Sequence, residues 1–301
     1  MEYKDFLKNI RFEVENRVEP GTKVYIRRVT KNNRRMMDGM TILREGDNVS
    51  PSICLNSFYE KYENGVPLEL IAEQILSAYH TNRRAGKIDM SFYLDFEQVR
   101  EHLVCRIVHY EKNRSFLENV PHVRFLDLAV LYYCEIDHPV LGAASILVQK
   151  SHLKLWGADQ RTIHSIAVSN TMRLSPHELV GIAELVGDMT GINLDETAIR
   201  EIPMYVLTNK KKCFGAVNLY FGNVLDKVGK ELRTDFYLLP SSIHECMVVP
   251  IVENTTISAH ELQSMVREIN DEFVAEEEIL GYSVYRYYRS SRTLIIAAAG
   301  E

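Results

Sequence analysis

Residues 235–250 read DFYLLPSSIHECMVVP, from Asp235 to Pro250. Phe236 to Leu239 is an apolar run of strand-forming residues, and Met247 to Val249 is a second. Between them stands a polar knot: Pro240, Ser241, Ser242, Ile243, His244 and Glu245. Two such runs joined by a Pro/Ser element read as two strands, or one broken strand, with hydroxyls, an imidazole and a carboxylate where they meet. Elsewhere the strand pairs at 23–43, 125–149 and 204–221 are separated by turns too short for a helical crossover, so the sheets are expected as antiparallel hairpins.

The same grammar extends outward from this hairpin. Met204 to Thr208 reads as a strand, Asn209 to Cys213 as a turn, Gly215 to Phe221 as a returning strand and Asn223 to Leu232 as a helix. Phe125 to Ile136 (FLDLAVLYYCEI) predicts one long buried strand, with Gly142 to Gln149 returning beside it. A short helical turn at His152 to Trp156, a break at Gly157 and a helix over Asp159 to Asn170 follow. Near the start, Phe6, Ile10, Val14 and Val18 recur every fourth residue, the spacing of one helix face, which Pro20-Gly21 ends. Lys23 to Val29 alternates apolar and basic residues as a half-solvated strand does, with Lys31-Asn32-Asn33 as its turn and Met36 to Leu43 as its partner. The order strand, aromatic-bearing helical turn, glycine, helix occurs at 52–75 and again at 145–168, with a looser third version toward the C-terminus. The fold class is therefore α+β, built from repeated strand–strand–helix units with mainly antiparallel sheets. Polar stretches at Thr81 to Met90 and Gly187 to Pro203 divide it into 1–85, 86–200 and 201–301. A closing helix, Ala259 to Phe273, and a hairpin of Tyr282 to Arg289 with Thr293 to Ala298 complete the chain.

Composition narrows the function classes. A formal charge of -6 argues against a whole-molecule electrostatic grip on nucleic acid. The longest apolar run, Leu128 to Cys134, is far short of the ~20 residues that cross a membrane as a helix. The five cysteines are scattered in or beside apolar runs, without the paired C-x-x-C spacing of a structural zinc site. With no hydrophobic signal core at the start, they read as reduced thiols of a cytoplasmic protein.

Each reactive-looking motif has a simpler structural reading beside it. His177-Glu178 and His260-Glu261 lack the second histidine of H-E-x-x-H. Both lie in Ser-x-x-Glu, Ser175 to Glu178 and Ser258 to Glu261, which predicts a capping box at a helix start. Phosphate-loop, dinucleotide-binding and nucleophile-elbow patterns are absent, and neither a cofactor nor a metal is expected. Basic residues gather at Arg27, Arg28, Lys31, Arg34 and Arg35, and at Lys210 to Lys212. Tyr285 to Arg289 interleaves tyrosines with Arg286 and Arg289, the composition of a single-strand stacking surface, but equally that of a solvated strand face. In the polar knot, Ser241 or Ser242 as nucleophile with His244 as base would need a carboxylate orienter such as Asp127. His244 and Glu245 are adjacent, so in a regular strand they point to opposite faces and pair only if the chain bends there. The alternative is a Pro-Ser turn whose hydroxyls satisfy backbone groups. Asn209, closing the strand MYVLTN, and Asp127 are the neighbours expected beside the knot if the C-terminal and middle sheets abut.

Seven phrases carry a family resemblance: VTKNN from Val29, SICLNSFYEKYENG at 52–65, FLDLA at 125–129, SHLKLWG at 151–157, AVSNT at 167–171, MYVLTN at 204–209 and FYLLPSSIHE at 236–245. Together they resemble an uncharacterised domain-of-unknown-function family of Gram-positive anaerobes, over nearly the whole chain. By order of elements, roughly the C-terminal two thirds is similar to the uncharacterised YtpQ-like family. The resemblance implies a cytoplasmic bacterial protein and brings no reaction, cofactor or site with it.

The expectation from the residues is a non-catalytic binding or regulatory module whose partner is another macromolecule, a protein, with neither nucleic acid nor membrane as its target. The alternatives are a hydrolase or transferase centred on Ser241 to Glu245, and a single-strand nucleic-acid binder using Arg286 and Arg289.

Overall fold

The computed structural model describes residues 1–30, 32–34, 36–83, 86–138, 142–185, 204–252 and 257–300. Of the features read from sequence, the Gly187 to Pro203 boundary, the turn residue Lys31 and the basic-cluster residue Arg35 lie outside these. The chain packs as two units: Met1–Tyr93 with Ile136–Ala144, and Leu94–Glu135 with Ser145–Glu301.

In the first unit, helix α1 (Tyr3–Glu15) places Phe6, Ile10 and Val14 on one face, and all three are fully buried. Burial of such side chains stabilises by roughly 1.5–3 kcal/mol each. They meet α3 (Leu68–Asn82) and one face of an antiparallel sheet ordered β1 (Lys23–Thr30), β2 (Met36–Leu43), β3 (Ser52–Cys54). Helix α2 (Asn56–Glu63) adds Phe58, Tyr59 and Tyr62 to the same core. Alternation decides which side each strand residue takes: Val24 and Ile26 join Met40 and Ile42 in the core, while Tyr25 and Arg27 stand with Thr41 and Gly39 on the outer face.

The second unit holds two sheets. Strands β4 (Leu103–His109), β5 (His122–Phe125), β6 (Leu128–His138) and β7 (Gly142–Leu147) form one, with β6 paired to the other three; the residues of β6 and β7 within Ile136–Ala144 count with the first unit. Short helices α4 (Phe96–Val99) and α5 (Arg114–Leu117) flank β4 in sequence. The expected single strand at 125–136 is instead a hairpin, because Leu126 takes φ 55 and reverses the chain with Asp127. The amide of Tyr110 donates to the Asp127 carbonyl and fixes that reversal. Helix α6 (Lys150–Trp156) stops at Gly157 (φ 61), and α7 (Gln160–Leu174) packs along β4. Asn170 on α7 donates to the carbonyls of Arg100 and Leu103, and Thr171 Oγ1 accepts from the Cys105 amide.

The larger sheet is fully antiparallel in the order β13 (Thr293–Ala298), β12 (Val284–Tyr288), β10 (Phe236–Leu239), β11 (Cys246–Pro250), β9 (Tyr205–Asn209), β8 (His177–Gly181). The stretch 235–250 is its central hairpin, with Phe236 opposite Pro250 and Leu239 opposite Met247. One face, with Leu239, Val249 and Val284, packs under α9 (Ala259–Phe273); the other, with Phe236 and Tyr287, meets α8 (Gly222–Leu232). Ser258 and Glu261 do form a capping box at the start of α9.

Two sequence readings are corrected here. Ser175 to Glu178 caps no helix: Ser175 ends α7, and His177 and Glu178 pair with Asn209 and Thr208 in the sheet, so strand pairing outweighs the local capping preference. Residues 215–220 form a 3₁₀ helix rather than a returning strand, since β9 is already paired on both sides by β8 and β11. The C-terminal third therefore does not follow the strand–strand–helix order read for it from sequence.

Candidate functional site

The end of β9 and the polar knot meet at one corner of the large sheet. Asn209, buried, closes the turn that follows it: its Nδ2 donates to the Cys213 carbonyl at 2.8 Å and its Oδ1 accepts from the Cys213 amide at 3.3 Å. Within that turn Lys212 (φ 50) and Phe214 (φ 55) take left-handed backbone, a region that side chains with a Cβ enter only at a cost. The Phe214 amide donates to His244 Nδ1 at 3.3 Å, and the two rings lie 5.3 Å apart. Because Nδ1 accepts, the neutral imidazole carries its proton on Nε2, which faces Glu278 Oε1 at 3.5 Å. Next to Phe214, Gly215 seats the chain tightly: a Cβ there would lie 2.7 Å from both the Asn209 nitrogen and the His244 carbonyl oxygen.

Pro240 does bend the chain. Beyond it, Ser242 bridges to Ile279, the Leu280 amide donates to the Ser241 carbonyl, and the Ile243 amide donates to the Glu278 carbonyl, so residues 278–280 run along the knot. The buried Ser242 hydroxyl donates to Glu245 Oε1 at 2.6 Å and accepts from the amides of His244 (3.0 Å) and Glu245 (3.3 Å). The knot thus pairs Ser242 with Glu245, and His244 with Phe214 and Glu278. Asn209 is linked to His244 through the 209–214 turn.

Asp127 makes its contacts elsewhere. Its carboxylate accepts from Ser283 Oγ and from the Tyr285 hydroxyl on β12, tying the β5–β6 reversal to the large sheet. Burial, followed by this carboxylate, holds the Tyr285 phenol well above its ordinary range. Tyr285 and Tyr287 point into the core. Arg286 faces Asp235 at 3.3 Å and lies over the Tyr288 ring, while the Arg289 side chain passes alongside Gly229.

Residues not singled out from sequence extend the corner. Arg106, from the middle of β4, lies with its guanidinium carbon 3.6 Å from the centre of the Phe214 ring and 4.2 Å from that of Tyr133. Its Nη2 reaches Glu135 Oε1 at 3.4 Å, and Lys211 Nζ reaches Glu135 Oε2 at 3.0 Å. Tyr133, Arg106, Phe214 and His244 form a ladder of alternating π systems and cation. The Arg106 Nε–H has no hydrogen-bond partner among the described residues, and ring faces occupy its surroundings instead. Lys210, Lys211, Lys212 and Cys213 crown the ladder and are exposed. Partial burial raises the Cys213 thiol pKa, so the thiol does not present itself as an activated nucleophile. The one local signal for Arg106 was a cation inside the apolar run LVCRIVH.

Among the described residues no group of three or more His, Cys, Asp or Glu is placed to hold a metal ion, and no helix is long and apolar enough to cross a membrane. Residues 3–289 match a family of unknown function, DUF5688, and the chain belongs to that family. Comparison with curated proteins and with solved structures returned no match.

Proposed function

We propose that this member of the family is a non-catalytic binding module of the bacterial cytoplasm, and that it engages an acidic surface of a partner protein through the 209–214 turn. The observation that carries the reading is the backbone of Phe214. A bulky residue held at φ 55 costs on the order of 1–2 kcal/mol, and such strain persists where the surroundings over-determine it. Here Asn209, His244 and Arg106 all hold it. The result is a pre-formed turn displaying three consecutive lysines, so little ordering entropy is lost when a partner docks. The groups a hydrolytic relay would need are engaged in local structure: Ser242 caps its own loop, and His244 Nδ1 holds the Phe214 amide of the turn.

The test is affinity capture of the tagged chain from its own cells after nuclease treatment. Lys210→Glu/Lys212→Glu and His244→Ala variants run beside the wild type. The expected result is a protein partner that survives nuclease, weakens with added salt, and is lost in the charge-reversal variant. Capture that vanishes with nuclease would transfer the reading to nucleic acid. Turnover of an ester or amide substrate, abolished by both Ser242→Ala and His244→Ala, would replace it with the hydrolase reading.

A further inference from the structure

The first unit carries a second feature that the lysine turn does not use. Among the described residues strand β1 pairs with β2 alone and forms one edge of its sheet. The pairing runs through eight consecutive residue pairs, Lys23 with Leu43 to Thr30 with Met36, without a register shift. No proline or bulge interrupts it. On its unpaired side, alternate N–H and C=O groups have no backbone partner among the described residues. Long, regular edges of this kind are templates for another strand, and natural proteins usually shorten, bend or cover them. The opposite edge shows one such protection, since β3 has only three residues.

Charge decides what can add to β1. Lys23, Arg27 and Arg28 are exposed; Arg28 is paired with Asp38, whereas neither Lys23 nor Arg27 has a carboxylate partner among the described residues. A second copy of β1 laid antiparallel on this edge would gather Arg27 and Arg28 of both copies at its centre, a like-charge arrangement that destabilises strand pairing. An acidic strand meets the opposite situation. A cleft of about 340 Å³ opens on the same outer face, lined by Tyr25, Arg27, Thr41, Leu43, Val49 and their neighbours. Its walls are fixed: Asn48 grips the backbone of Ile88 from both sides, and Ser50 Oγ donates to the Ile42 carbonyl. Alternate side chains of an added strand would project over this face, a carboxylate reaching Arg27 and a small apolar group entering the cleft between Tyr25 and Leu43.

We infer that β1 is a strand-addition site for an extended acidic peptide segment of a partner protein, read by main-chain hydrogen bonds along the edge and by Arg27 with the cleft beside it. The inference shares with the preceding proposal the premise that the chain binds protein, but it concerns a different surface and fails separately from it.

The probe is a fluorescein-labelled, end-blocked octapeptide alternating glutamate with valine and threonine, titrated against the full chain by polarisation. Its lysine counterpart serves as the charge control. Two further versions carry N-methyl groups on alternate amides, one in each phase, so that one of them removes the donors facing β1. Binding of the acidic peptide is expected. It should weaken at least tenfold with Arg27→Glu and with one N-methylated phase only, and be absent for the lysine peptide. Equal binding of both N-methylated phases would reduce the contact to charge alone and overturn the inference. So would an Arg27→Glu variant, folded by circular dichroism, that binds as the wild type does. Sedimentation showing a dimer of the free chain that Arg27→Glu abolishes would assign the edge to a second copy instead, and would overturn it too.

Discussion

The Arg106 guanidinium carbon sits 3.6 Å from the centre of the Phe214 ring, which makes a strand residue of one sheet the support for a turn of the other. β4 is otherwise buried and, His109 at its end aside, apolar, so a cation in its middle has to find compensation nearby. It finds one carboxylate, Glu135 at 3.4 Å, and two ring faces. We expect Arg106→Met to lower stability by about 1–2 kcal/mol in urea denaturation, through loss of the cation–π contacts. Arg106→Lys should recover little of it, since an ammonium cannot lie flat between two rings. The 209–214 turn should loosen at the same time, seen as faster tryptic cleavage at Lys210 to Lys212 in the native protein. Cleavage at the wild-type rate in both variants would show that the turn stands without Arg106.

Gly215 gives a sharper test of the corner. A Cβ at this position would lie 2.4 Å from Thr208 Oγ1 and 2.7 Å from two backbone atoms, those of Asn209 and His244. Backbone cannot step aside as a side chain can. We expect Gly215→Ala to cost at least about 3 kcal/mol, the upper end of overpacking effects. Gly39 is the control: a Cβ there meets chiefly the Ser52 Oγ, at 2.3 Å, and that hydroxyl can rotate away. Gly39→Ala should therefore be much the milder of the two by melting temperature.

How much of this was legible in the sequence depends on how far apart the causes lie. The 235–250 hairpin was readable because two apolar runs flank a Pro/Ser joint, so all the information is local. The Leu126-Asp127 reversal was not. Nothing in a Leu-Asp pair asks for positive φ, and the contacts that hold it come from Tyr110 and from Ser283 and Tyr285, more than 150 residues away. Residues 215–221 read as a strand from their apolar composition, yet Asn218 turns inward to the carbonyls of Thr208 and Gly215, and both edges of β9 are taken. In the site, the knot and Asn209 were visible as polar residues at strand ends. Phe214 and Tyr133 were not, because an aromatic residue beside a strand carries no mark of the cation it will stack on.

Trp156 reports on the packing of α6. It is the single tryptophan and only 8% exposed, beside the rings of Phe96 (6.1 Å) and His152 (5.7 Å). We expect a blue-shifted emission maximum in the folded protein that moves to the water-exposed value on unfolding. Trp156→Ala should cost about 3–5 kcal/mol, as removal of a large buried ring does. An emission maximum that already matches free indole in water before denaturant is added would contradict this packing.

His164 makes the stability of the fold depend on pH. Its Nδ1 lies 3.0 Å from the Tyr132 hydroxyl and its Nε2 3.1 Å from that of Tyr220. A neutral imidazole has one donor and one acceptor, so one phenol accepts from it and the other donates to it. Protonation turns both nitrogens into donors, and the phenol that was donating must redirect its proton inside a packed site where Tyr132 is fully buried. Burial accordingly lowers the His164 pKa from its ordinary value, and burial lowers those of His109, His152 and His177 as well. The sign follows: below the ordinary imidazole pKa of about 6.5 the unfolded chain binds protons that the folded chain resists. Stability is therefore complete above that value and declines as pH falls below it. Melting temperatures taken between pH 7.5 and 5.5 at constant ionic strength should show this decline in the wild type. His164→Gln replaces the imidazole with an amide that donates and accepts but does not titrate. It should melt lower at pH 7.5 and lose less on going to pH 5.5. A His164→Gln profile parallel to the wild type would assign the pH dependence to the other three histidines and remove His164 from the argument.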